Sequence, residues 1–189
     1  MDKKIKAFIE DEYKEIYLKL NENWSMGFRT KKEELSHRGL LNSGIAQRAL
    51  TDFTINLVND NNLKIKDLIL NSQKKFNFKM TKEEIESYIN KSIENNSNYF
   101  DIFYKDLLDY FSSKRMLIVK ATSSISFSNA KANNKAELEK IKKELILMND
   151  SQNLKEQKEN RKIKKANIIG IIGIIVTVIS IVVTIISII

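Results

Sequence analysis

The chain has 189 residues, with 32 Lys and Arg against 24 Asp and Glu, a formal net charge of +8, no Pro and no Cys. The missing Cys excludes disulfides and thiolate metal sites. With no Pro and only five Gly to interrupt helices, an all-α fold is expected.

The first helix is expected from about Asp2 to Asn23, because Ile5, Phe8, Ile9, Tyr13, Ile16, Tyr17 and Leu20 recur at helical spacing. Trp24, the single tryptophan, follows where the helix is expected to end or bend, near Met26 and Gly27, and is read as a packing anchor. A second short helix, Thr30 to Ser36, ends in His37-Arg38-Gly39. There Gly39 can take the left-handed conformation, and Asn42 or Ser43 can cap the helix that follows. Arg38, Gln47 and Arg48 give this corner a superficial likeness to a DNA-reading helix-turn-helix. The helix after it is too apolar and too poor in cations to enter a groove, so no nucleic acid partner is expected. Glu34 and His37 form one E-x-x-H pair, but a bundle metal site needs two. His37 is therefore assigned to the helix terminus, and no metal or cofactor is expected.

The next helix, Ser43 to Asn59, is expected to bury Ile45, Ala49, Leu50, Phe53 and Leu57, and to end in a turn at Asn59-Asp60-Asn61-Asn62. A short helix from Leu63 to about Lys75 would then bury Leu63, Ile65, Leu68 and Ile69. Thr81-Lys-Glu-Glu84 is a capping box with Met80 as staple against Ile85. Its helix, carrying Ile85, Tyr88, Ile89 and Ile93, should stop at Asn95-Asn96. A new helix beginning at Ser97 or Asn98 carries the aromatic stripe Phe100, Phe103, Tyr104, Leu107, Leu108 and Phe111. Asp101, Asp106 and Asp109 lie beside it as a solvated face.

From Ser112 to Asn134 two assignments stand. Met116 to Ala121 and the alternation from Ser124 to Ser128 read as a short β-hairpin near 116–128, or as a helix continuing to Ser128. The helix is favoured, since a lone hairpin is marginally stable. A break is expected at Lys131 to Asn134, then a helix from Ala136 to Met148 with Leu138, Ile141, Leu145 and Met148 at three- and four-residue spacing, consistent with packing onto the bundle or with a short coiled coil. No internal repeat is evident. Residues 1–148 thus form the expected helical bundle, and 149–167 a polar to basic juxtamembrane stalk.

Ile168 to Ile189 contains no charged residue and, at a helical rise, extends about 33 Å, enough to cross a bilayer core of roughly 30 Å. A single C-terminal transmembrane helix, tail-anchored, is expected. Lys158, Arg161, Lys162, Lys164 and Lys165 precede it as contacts for anionic lipid and place the N-terminal domain in the cytoplasm. The small and hydroxyl residues Gly170, Gly173, Thr177, Ser180, Thr184 and Ser187 alternate in steps of three and four, which puts them on one stripe of a helix pair.

There is no phosphate-cradling loop and no Cys nucleophile, so enzymatic activity is not expected. Two functions are consistent with the chain. One is a membrane scaffold or adaptor that self-associates through its span and whose bundle binds a cytoplasmic protein or small ligand. The other is a membrane-perturbing, toxin-like oligomeric pore triggered through the bundle.

Overall fold

A computed structural model of the chain describes the backbone of residues 1–114 and 120–186 and the side chains of 1–114 and 124–170. Four helices and no strand occur among the described residues: α1 Lys3–His37, α2 Gly44–Phe76, α3 Lys82–Ser113 and α4 Lys120–Ile186. The chain divides into two compact units, Met1–Ile146 and Leu147–Ile189.

Three expected interruptions are corrected. The break near Gly27, the turn at Asn59–Asn62 and the stop at Asn95-Asn96 all lie inside uninterrupted helices of 35, 33 and 32 residues. The expected break at Lys131–Asn134 is likewise helical, as are residues 120–128 of the alternative hairpin; 115–119 lie outside the described residues. Asn is a poor helix former chiefly because its side chain bonds to nearby backbone, and that competition is lost when the side chain finds partners on other helices.

The chain reversals follow local rules. α1 ends in a Schellman motif: Gly39 has φ 67, its N–H donates to Ser36 O at 2.9 Å, and Leu40 N–H donates to Leu35 O at 2.9 Å. Ser43 Oγ caps α2 by accepting from Ala46 N at 3.3 Å. Asn77, at φ 48, repeats the left-handed exit at the end of α2, with Phe78 N–H donating to Gln73 O at 3.1 Å. The Thr81–Glu84 capping box is formed in both directions.

In the first unit α2 packs against both α1 and α3. α1 runs parallel to α3, as the contacts Tyr13 to Ser92, Tyr17 to Asn96 and Trp24 to Phe103 show. The part of α4 up to Ile146 pairs with α2 through Asn62 to Glu137 and Lys66 to Glu144, and with α3 through Phe127 to Phe100. Buried positions recur eleven residues apart on every helix. Examples are Ile9 and Leu20, Val58 and Ile69, Ile85 and Asn96, and Phe127 and Leu138. Such spacing gives about 3.67 residues per turn, close to the natural helix, so the buried stripes stay in register without a left-handed supercoil.

The buried face of α2 comprises Ala46, Leu50, Thr51, Thr54, Val58, Asn61, Asn62, Ile65, Ile69 and Ser72. This corrects the expected stripe: Ile45 is 59% and Leu63 57% exposed. A search for apolar residues alone passes over two threonines and two asparagines on the true face, and the phase it finds is displaced.

Gly27 of α1 lies against the Phe53 ring of α2, which an added Cβ would overlap. Gly27→Ala should therefore lower stability by about 1–2 kcal/mol in urea unfolding, despite the roughly 1 kcal/mol that Ala gains over Gly in helix propensity. An increase in stability would show that the ring moves aside freely.

Candidate functional site

At mid-height the bundle carries a layer of amides and hydroxyls in place of an apolar core. Asn96 on α3 is its hub. Its Oδ1 accepts from Tyr17 OH of α1 at 3.0 Å and from Asn61 Nδ2 of α2 at 3.4 Å. Its Nδ2 donates to Asn62 Oδ1 of α2 at 2.9 Å and to Asn134 Oδ1 of α4 at 3.1 Å. One side chain thus bonds to all three other helices. Asn134 Nδ2 in turn donates to Asn59 Oδ1 at 2.9 Å and Asn62 Oδ1 at 3.2 Å, and Asn62 Nδ2 reaches Glu137 Oε2 at 3.0 Å near the surface. Asn61, Asn62 and Asn96 are each 0% exposed.

A second chain of bonds joins this layer one turn away. Ser92 uses its single O–H to donate to Tyr88 O at 2.7 Å, so it accepts from Tyr13 OH at 3.1 Å, and Tyr13 OH accepts from Asn95 Nδ2 at 3.2 Å. Burial pushes the Tyr17 phenol well above its ordinary value, and burial likewise raises Tyr13. Both stay neutral donors through ordinary pH. Asn61 Oδ1 is the one buried amide oxygen of the layer without a hydrogen-bond partner.

The sign of the linkage follows from the raised phenols. Above the ordinary tyrosine value of 10.0 the unfolded chain loses protons that the folded chain keeps, so the stability present below that pH falls as pH rises. Tyr17 should contribute a slope of up to about 1.4 kcal/mol per pH unit between roughly pH 10 and 11.5. Urea midpoints over that range should fall less steeply in Tyr17→Phe; parallel curves would place Tyr17 in water.

Chemically the layer holds the four helices in one register. It offers neutral amides and phenols, with a carboxylate only at its edge. No group of three or more His, Asp or Glu side chains gathers as a metal site among the described residues. His37 is the last residue of α1 and exposed, while Glu34 pairs with Lys31 at 2.8 Å and Arg38 at 3.6 Å. Lys31 lowers the Glu34 carboxyl first, with Arg38 adding to it. Asp101, Asp106 and Asp109 are exposed, and Asp101 pairs with Lys131 of α4.

Trp24 is the packing anchor of α1. Its ring stacks on Phe103 at 4.6 Å and on Phe28 at 4.9 Å, and its Nε1 donates to Thr54 Oγ1 at 3.2 Å. The expected lipid contacts Lys158, Arg161, Lys162, Lys164 and Lys165 are exposed on α4. Gly170 faces open space. Gly173, Thr177, Ser180, Thr184 and Ser187 lie outside the residues whose side chains are described. Among the described residues no helix is long and apolar enough to cross a membrane. From residue 171 on, the run expected to do so lies outside the residues whose side chains are described.

Sequence reasoning missed the amide layer. Its signal was present in two Asn-rich runs, 59–62 and 95–98, whose Asn61 and Asn96 sit eleven residues from the buried Leu50 and Ile85. Comparison with protein-family models, curated proteins and solved structures finds no match to this chain.

Proposed function

We propose that the chain is a non-enzymatic, membrane-anchored scaffold or adaptor. Its four-helix unit stands on the cytoplasmic side, and residues 168–189 form a single self-associating span. The observation that carries this reading is the charge-free run Ile168 to Ile189, entered directly from a segment rich in Lys and Arg. α4 keeps a helical backbone to Ile186, which satisfies the requirement that backbone groups in hydrocarbon bond internally. Ile168 and Ile169, the described residues that open the run, are exposed.

The test is extraction of membranes from cells expressing the full chain. The native chain should stay in the pellet at alkaline pH. Ile175→Asp with Ile179→Asp, at a cost of about 2.5–3.5 kcal/mol for each carboxylate at mid-membrane, should release it. A native chain recovered in the supernatant would sink the reading.

A second reading is an oligomeric pore, favoured by the hydroxyls Thr177, Ser180, Thr184 and Ser187 on the stripe that begins at Gly170. Under it, expression dissipates the membrane potential and Thr177→Val with Thr184→Val abolishes that loss. Assembled protein that leaves the potential intact would exclude it.

A further inference from the structure

Unit 2 contains a helical stretch, residues 151–170, in which every residue is exposed. Asn153, Asn160 and Asn167 recur every seven residues along it. Three residues after each come Glu156, Ile163 and Gly170. Alternating steps of three and four put these six on one face. We propose that this face docks against the same face of a second copy of the chain in parallel, with the Asn residues and Ile163 at the centre of the seam.

Charge favours this face over the competing one, with Glu156 against its own copy as the one like-charge meeting within it. In a parallel pair, Glu159 beside the seam meets Lys164 of the other copy, five residues on, and the contact occurs twice by symmetry. Lys155, Lys158, Arg161, Lys162 and Lys165 all fall on the outer faces, free to meet anionic lipid. The competing stripe, Leu154, Arg161 and Ile168, would press Arg161 against its own copy with Lys158 and Lys165 alongside. Parallel orientation follows from two chains entering one membrane from one side. The seam runs into the small-residue stripe of the span and shares Gly170 with it, where two successive steps of three (Asn167, Gly170, Gly173) overwind the pair locally.

Asn at central positions fixes register and lowers affinity, and Glu156 faces its own copy across the seam. The strength of the pair therefore comes from the span. The inference rests to that extent on the proposed self-association, and the juxtamembrane seam aligns what the span holds together.

The test is single-Cys substitution in the full chain, reconstituted in phosphatidylcholine vesicles and cross-linked with copper phenanthroline. The chain has no native Cys to interfere. Cross-linking at Asn153, Asn160, Ile163 and Asn167 should exceed that at Lys158, Arg161 and Lys165 by about threefold or more, the contrast of a paired against an outer helix face. Glu159→Lys should reduce the Asn160→Cys yield, and adding Lys164→Glu should restore it. High yield at Thr177→Cys and Thr184→Cys with a flat profile over 153–167 overturns the seam and leaves the span pairing standing. A flat profile from 153 to 184 overturns both. A maximum on the Arg161 face overturns the seam in favour of the competing stripe.

Discussion

Asn96→Leu should destabilise the bundle by about 3 kcal/mol, a fall in Tm of about 10 °C, although it replaces a polar core residue with an apolar one of similar size. Asn61 Nδ2 loses the acceptor that it reaches at 3.4 Å, Asn134 Oδ1 loses its donor at 3.1 Å, and Tyr17 OH keeps only its 3.4 Å bond to Ser92 O. Each buried group left without a partner costs about 1–3 kcal/mol, and leucine supplies none. Asn98→Leu, at an exposed site on the same helix, should change stability by about 0.5 kcal/mol or less. Thermal unfolding of both variants separates the two cases. A neutral Asn96→Leu would mean that the amides bond to water instead of to one another.

Phe103→Ala carries the other large expected effect, a loss of about 3–5 kcal/mol. The ring is 0% exposed, lies parallel to Trp24 at 4.6 Å with an interplanar angle of 4°, and touches Tyr99 at 5.4 Å. Truncation removes the apolar area and opens a cavity against the indole, whose stacking on Phe28 and bond to Thr54 oppose its collapse into the space. Trp24 is the single tryptophan, so its emission reports the change directly. The spectrum should shift to longer wavelength, with a loss of stability at least twice that of Phe103→Leu. An unshifted spectrum would place the indole elsewhere.

The two effects share a cause. α1 joins α3 through both a polar layer and an aromatic stack, so the two kinds of contact fix one register between the helices. The amides contribute direction that apolar contacts lack, since an Asn displaced by one helical turn comes level with apolar residues such as Val58, Ile65, Phe100 or Leu138 and loses its bonds. A bundle whose helices have similar lengths has many near-equivalent alignments, and the layer at Asn96 distinguishes one of them.

What the sequence revealed was local. Gly39, Ser43, Thr81 and Glu84 act within a few residues of themselves, and each takes the role that its type and position imply. The aromatic stripe Phe100, Phe103, Leu107 and Phe111 was legible because its members are apolar and spaced for one face. Asn61, Asn62, Asn96 and Asn134 were not, because the same residue type serves turns when its partner is local and cores when its partner is distant. Nothing in one strand of text says which partner exists. Ile45 and Leu63 were misplaced for the related reason that a face with Thr51, Thr54, Asn61 and Asn62 on it does not look like a core until its partners are known. The basic segment and the charge-free run carry the functional reading, and they too are local signals, read from charge alone.

The most direct measurement is amide hydrogen exchange of the full chain at the two Asn-rich runs. If 59–62 and 95–98 lie inside continuous helices that share a buried layer, the amides of Asn61, Asn62 and Asn96 exchange only when the whole bundle opens, at the rates of Ile65 and Ile89. Exchange at those asparagines as fast as in the Asn77–Met80 turn would contradict the layer and restore two shorter helices on each side of a polar turn.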